Sequence, residues 1–79
     1  MSRERLLTTR EDGRRATFLL EVFQEGDHWT STLVRLDARG EPEATRVAPR
    51  FYGVTQDQAR RRMISVLEND WDEVRAEDG

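Results

Sequence analysis

The chain has 79 residues and no cysteine, so it forms one domain without disulfides or a thiolate zinc site. We expect a reducing compartment, the cytoplasm. Charged residues make up 37% of the chain, the net charge is −3, and no apolar run approaches the ~18 residues of a membrane span, so neither a membrane protein nor a strongly basic duplex-binding domain is expected.

The N-terminal segment predicts a hairpin around the dipeptide Asp12-Gly13. This dipeptide favours a type I′ turn, which would pair residues 5–10 with residues 15–19 and place Leu7 opposite Phe18. The alternative is that residues 1–14 form a flexible arm.

Two further strands are predicted at residues 16–23 and 28–36, where apolar residues alternate with a period of two. Gly26-Asp27 between them fits a two-residue type II′ turn, and the alternative is a longer loop starting at Glu25, which would shift the strand register. Leu19 and Phe23 make the second face of the first of these strands apolar as well.

A type I turn is predicted at Asp37-Ala38-Arg39-Gly40, and a last strand at residues 44–52. Because Pro49 has no N–H to donate, this strand lies at a sheet edge or contains a bulge.

The C-terminal part predicts one amphipathic helix from about Gln56 to Arg75, followed by a frayed tail at residues 76–79. Thr55 and Gln58 form a capping box at its start. Its apolar residues recur at three- and four-residue spacing: Ala59, Met63, Ile64, Val66, Leu67, Trp71 and Val74.

These elements predict an α+β domain spanning residues 1–79. A three- or four-stranded antiparallel β-meander is followed by one C-terminal helix packed on one sheet face. The other face retains Leu19 and Phe23, so we expect a second copy, a partner protein or a ligand to cover it.

No catalytic constellation, metal-ligand spacing or phosphate-binding glycine loop is recognisable, and no cofactor is expected. His28 is the only histidine and flanks a turn, where it has no nucleophile to activate. The sequence therefore predicts a protein that is not an enzyme.

The strongest candidate for a partner-binding surface is the charge pattern of the helix. Arg60, Arg61 and Arg62 lie near its N-terminus, and Asp70, Asp72 and Glu73 lie near its predicted C-terminus, so both groups oppose the helix dipole. Arg60 also projects into the apolar arc and must reach past the sheet edge or pair with an acid there.

These charges would be satisfied by an antiparallel contact between two copies, with Trp71 as the apolar anchor. The leading prediction is therefore a non-enzymatic interaction module, a homodimer that binds another protein. The alternative is a single-stranded nucleic-acid-binding protein that uses Arg46, Arg50 and Arg60 to Arg62 as an anion-binding edge, which the net charge disfavours.

Residues 51–59, Phe-Tyr-Gly-Val-Thr-Gln-Asp-Gln-Ala, lead into a helix that continues to Leu-Glu-Asn-Asp-Trp at residues 67–71. This junction and the layout of residues 16–75 resemble the HicB-like antitoxin domain, in which a short sheet precedes an amphipathic helix. The resemblance implies a small sheet–helix module that binds a protein.

Overall fold

The computed structural model describes residues 2–43 and 49–77, and these form five antiparallel strands and one helix. The strands are β1 (Ser2–Thr9), β2 (Arg15–Glu25), β3 (His28–Leu36), β4 (Arg50–Gly53) and β5 (Glu73–Ala76), and the helix is α1 (Gln56–Asp70). They make one sheet in the order β4-β3-β2-β1-β5. The α+β layout is confirmed, but the sheet has five strands instead of three or four.

The first hairpin is present, and the flexible-arm alternative is wrong because Leu6 and Thr8 of β1 are buried. The type I′ turn is also wrong. Gly13 has a φ of 91° and no residue other than glycine has a positive φ in the described ranges, whereas type I′ needs positive φ at both central positions. A three-residue loop with Gly13 in the left-handed region forms instead, so Leu6 rather than Leu7 lies opposite Phe18.

The second hairpin is confirmed, with Glu25 opposite His28 and Gly26 at a φ of 61°. The following turn is also confirmed, since the Gly40 N–H donates to the Asp37 carbonyl at 2.9 Å. Asp37 Oδ1 fixes this turn further by accepting from the N–H groups of Arg39 and Glu41.

The last predicted strand of the meander is β4, which pairs with β3 at the sheet edge. It begins after Pro49, as the missing proline N–H requires. Residues 44–48, which include Arg46 and most of the predicted start of this strand, lie outside the described residues.

The helix begins where the capping signal places it, because Thr55 Oγ1 accepts from the Gln58 N–H at 3.1 Å. The Gln58 side chain returns to the Val54 N–H at 2.6 Å, one residue before the expected Thr55.

The predicted C-terminal end of the helix is wrong. α1 ends at Asp70, five residues before the expected Arg75, and Trp71 is already extended. Residues 73–76, which the sequence assigns to the helix end and the frayed tail, form β5 beside β1. Val74 packs against the core from the strand, and the strand also completes the hydrogen bonds of the β1 edge.

The core lies between α1 and one face of the sheet. Its buried members are Leu6, Leu20, Val22, Leu33, Ala59, Met63 and Leu67. The helix lies so close to β4 that a Cβ added to Gly53 would be 2.7 Å from the Ala59 nitrogen. Ser31 of β3 is fully buried there and donates from Oγ to the Ala59 carbonyl at 2.8 Å. No helix within residues 2–43 and 49–77 has the length and apolar character needed to cross a membrane.

Candidate functional site

The sheet face opposite α1, which we call the open face, is made by every second residue of each strand. Leu6, Leu20 and Leu33 point into the core, so their neighbours in sequence point the other way. The open face thus carries the apolar residues Leu7, Leu19, Phe23, Val34, Leu36 and Tyr52. Its charged members are Arg3, Arg5, Arg15, Arg50, Arg75, Glu21, Glu25 and Glu73.

The centre of the open face is aliphatic and incompletely covered. Leu7, Leu19 and Val34 lie on three adjacent strands and are each half-buried, as is Phe23 farther along β2. Leu36 is only 6% exposed, since Pro42 bridges to it where the chain turns back. An apolar group this central on a sheet surface is typical of a contact surface.

Charge on the open face is mostly paired. Arg3 contacts Glu21 at 3.1 Å, Arg50 contacts Glu25 at 3.4 Å, and the Arg75–Glu73 pair lies along β5 at 3.2 Å. Arg5 and Arg15 form no ion pair within the described ranges.

Five arginines and three glutamates leave the open face at +2. The whole chain carries −3, so all other side chains together carry −5. The open face is therefore the basic side of an acidic molecule.

One end of the open face carries a cluster of polar and aromatic side chains. Thr30 is fully buried, and its Oγ1 donates to Glu25 Oε1 at 2.6 Å. His28 packs edge-on against Tyr52 with ring centroids 5.3 Å apart, and Tyr52 is 50% exposed. This end therefore presents two rings beside the Arg50 guanidinium.

The three helix arginines point away from the open face and have different surroundings. Arg60 Nε donates to Glu4 Oε1 of β1 at 2.9 Å, which is the pairing with an acid that its position in the apolar arc requires. Arg61 contacts Asp57 one turn earlier at 2.7 Å, and Arg62 is exposed.

The C-terminus of α1 obtains its cation, Arg10, from the loop that follows β1, and the sequence pattern does not predict this contribution. Arg10 Nε donates to the Asp70 carbonyl at 2.9 Å, and its guanidinium carbon lies 4.7 Å from the centre of the Trp71 ring. Trp71 in turn packs edge-on against Phe18 at 6.2 Å. No local signal marks Arg10, because the helix end lies 60 residues away in sequence.

The remaining residues of the predicted surface also have places within the fold. Asp72 Oδ2 accepts from the Glu11 N–H at 2.6 Å, which ties the first hairpin loop to the start of β5. Glu73 lies on β5, so Asp72 and Glu73 are not helix residues. Arg50 lies on the open face and Arg60 to Arg62 lie on the helix behind the sheet, so the structure does not bring these arginines to one edge.

Within the described residues, no three acidic or histidine side chains are grouped so that they could hold a metal ion. His28 has Asp27 as its nearest acid, with Nδ1 at 3.8 Å from Oδ1. A comparison of the chain with protein-family models, curated proteins and solved structures finds no match. The resemblance to the HicB-like domain therefore stays a prediction.

Proposed function

We propose that this chain is a non-enzymatic interaction module that binds a partner protein on the open face. The observation that carries this proposal is the half-buried aliphatic group Leu7, Leu19 and Val34 on the side of the sheet that α1 leaves uncovered. The apolar area that these side chains still expose would be removed from water if another apolar surface covered them, and this favours binding.

The charges around this group indicate the chemistry of the partner. The open face is at +2 and contains Arg5 and Arg15, which form no ion pair among the described residues. A partner surface with an apolar centre and acidic side chains at its rim is complementary to it, whereas two open faces in contact would oppose charges of the same sign.

The proposal is tested with three forms of the protein used as bait in an extract of the source cells. Leu19→Glu puts a charge at the centre of the open face and should abolish retention of the partner. Ser65→Glu adds the same charge on the exposed side of α1 and is the matched control. A protein retained by the wild type and by Ser65→Glu, but lost with Leu19→Glu, is then purified and its binding is measured by calorimetry.

Two results would contradict the proposal. One is that Leu19→Glu, with its melting temperature unchanged, retains the same proteins as the wild type. The other is that the purified candidate binds wild-type and Leu19→Glu proteins with equal affinity, which would place the contact elsewhere on the molecule.

A second candidate function is the binding of single-stranded nucleic acid on the same face. Phe23 and Tyr52 with the adjacent Arg50 provide rings and a cation of the kind that such proteins use. Three of the five open-face arginines already pair with glutamates, which favours the protein partner. Retention on single-stranded DNA at low salt, lost steeply as salt rises, would instead support this second function.

The absence of cysteine agrees with action in a reducing compartment, and the cytoplasm remains the expected location.

A further inference from the structure

The outer edge of β5 is a strand edge with unused backbone hydrogen-bonding groups. Among the described residues, β5 pairs only with β1 and is the last strand of the sheet. The Glu77 N–H donates to the Arg5 carbonyl, so alternate residues of this segment direct their backbone groups toward β1. Val74 and Ala76 therefore direct their N–H and C=O groups away from the sheet.

β5 is a very short edge strand, which limits how strongly it can pair, but several other features that protect such an edge are missing. It contains neither proline nor lysine, and its central residue, Val74, packs partly into the core. Its only charged residues, Glu73 and Arg75, are of opposite sign and both lie on the open-face side. An edge of this composition can accept another strand.

The sequence of β5 is self-complementary about Val74. In an antiparallel pair of two β5 strands with Val74 at the centre, Glu73 of each copy lies opposite Arg75 of the other. The two Val74 residues then form the hydrogen-bonded pair, as their outward backbone groups require. Shifting the pairing so that Val74 lies opposite Ala76 would place Arg75 against Arg75.

We propose that two copies of this chain associate by pairing their β5 strands in this Val74-centred register. The two-fold axis is perpendicular to the sheet, so the two sheets join into one of ten strands with both helices on the same side. In the single copy Glu73 and Arg75 contact each other at 3.2 Å, and in the dimer each exchanges this partner for the equivalent residue of the second copy.

The pairing would also place both open faces on one continuous surface. A partner with two binding segments could then engage both copies at once. The inference does not depend on the proposed function, because β5 pairing uses the strand edge and leaves the centre of the open face exposed.

A four-residue strand edge buries far less than the ~800 Å² per partner of a standard interface, so we expect weak association. A Kd on the order of 0.1–1 mM corresponds to such an interface. The measurement is therefore amide NMR over a dilution series from about 1 mM, together with translational diffusion. The amides of Val74 and Ala76 should shift with concentration, and the diffusion coefficient should fall toward that of two chains as the concentration rises.

Charge reversal tests the register. Arg75→Glu alone and Glu73→Arg alone each place like charges opposite each other in both pairs, so each should raise the Kd about tenfold. The double variant Glu73→Arg/Arg75→Glu restores opposite charges and should restore the wild-type Kd. An equimolar mixture of the two single variants should also associate. The Arg75→Glu variant has acids at positions 73 and 75, the Glu73→Arg variant has arginines at both, and each acid then lies opposite an arginine.

A backbone block provides an independent test. Ala76→Pro removes an N–H group that points away from the sheet, at a position where the side chain is exposed. The substitution should therefore abolish association without lowering the melting temperature of the monomer appreciably. Arg61→Glu on the helix is the matched charge-reversal control and should leave the Kd unchanged.

Three outcomes would overturn the inference. The wild type could diffuse as one chain at about 1 mM, or its concentration-dependent shifts could map to Leu19 and Val34 instead of Val74 and Ala76. The third is that the double charge reversal associates no better than the single variants. None of these would alter the binding of a partner protein that Leu19→Glu abolishes.

Discussion

Gly53 and Gly13 show that one residue type serves two purposes in this chain. Gly13 has a φ of 91° and open space where a Cβ would lie, so its role is conformational. Gly53 has no such φ, but a Cβ there would be 2.7 Å from the Ala59 nitrogen and 3.1 Å from the Gln58 Cβ. Its role is to let β4 and the first turn of α1 approach each other.

We predict that Gly53→Ala destabilises the fold by about 1–3 kcal/mol, because backbone atoms of α1 must move to admit the methyl group. The measurement is the free energy of unfolding from urea denaturation. An unchanged free energy would mean that α1 does not contact β4 at this distance.

Gly13 provides the contrasting control. Gly13→Asn should be well tolerated since asparagine adopts the left-handed conformation, whereas Gly13→Val should be destabilising because a β-branched residue resists positive φ. At Gly53 asparagine should be no better than alanine, since the obstacle there is space.

The sequence predicts the turn at Gly13 but not the reason for glycine at position 53. Turn chemistry is local, and the dipeptide Asp12-Gly13 signals it, although it does not fix the loop length. The approach of Gly53 to Ala59 depends on how the helix settles on the sheet, and no nearby residue encodes that distance.

The two ends of α1 differ in the same way: one is determined by nearby residues and the other by a distant strand. Its start is fixed by Thr55 and Gln58 over four residues, and the sequence predicts it correctly. Its end is ambiguous in sequence, because Leu67, Trp71 and Val74 fit helical spacing equally well. The choice of a strand at residues 73–76 follows from β1, whose unpaired edge lies more than 60 residues away.

Arg10 resolves the apparent mismatch between α1 and its dipole. No basic residue lies in the last helical turn, yet the Arg10 guanidinium reaches the Asp70 carbonyl and covers the Trp71 ring. A cation at this position stabilises the negative end of the helix. The acidic side chains near the C-terminal end of α1, which oppose the helix dipole, are thus offset by a cation from elsewhere in the same chain.

We predict that Arg10→Ala lowers the free energy of unfolding by about 1 kcal/mol, through loss of the hydrogen bond and of the contact with Trp71. Arg10→Lys should recover part of this loss, because it keeps the charge without the planar donor group. Trp71 fluorescence should change in both variants.

Arg14→Ala is the matched control, since the Arg14 side chain is exposed and its ion pair is with Asp12 of its own loop. Its effect should stay within about 0.5 kcal/mol. Equal losses for Arg10→Ala and Arg14→Ala would show that Arg10 makes no specific contribution to the helix end.

For the molecule as a whole, the decisive feature is that β1 is an interior strand. A meander of four strands would leave β1 at the sheet edge, whereas β5 returns after α1 to cover it. The sequence predicts a meander of three or four strands and the helix, because each has its own period and turn signals, but it leaves open whether the first strand forms. It does not predict the closing strand, since that pairing joins the two ends of the described chain.

Native-state hydrogen exchange distinguishes the two arrangements without any substitution. The Arg10 N–H donates to the Arg14 carbonyl, so the even-numbered residues of β1 direct their backbone groups toward β2. The Asp72 and Glu77 N–H groups donate to Thr9 and Arg5, so the odd-numbered residues face β5. If β1 were an edge strand, only the amides of its even-numbered residues would be protected from exchange. As an interior strand, β1 has consecutive amides protected.

We predict that the amides of Leu6, Leu7 and Thr8 all exchange slowly at low protein concentration. On β5 the Arg75 amide should be protected by β1, while the outward Val74 amide should exchange fast until the concentration approaches that at which two copies pair. Rapid exchange of the Leu7 amide together with slow exchange of the Leu6 and Thr8 amides would mean that β1 lies at the sheet edge. The C-terminal residues would then need another place in the fold, because Val74 could no longer reach the core from a strand beside Thr8.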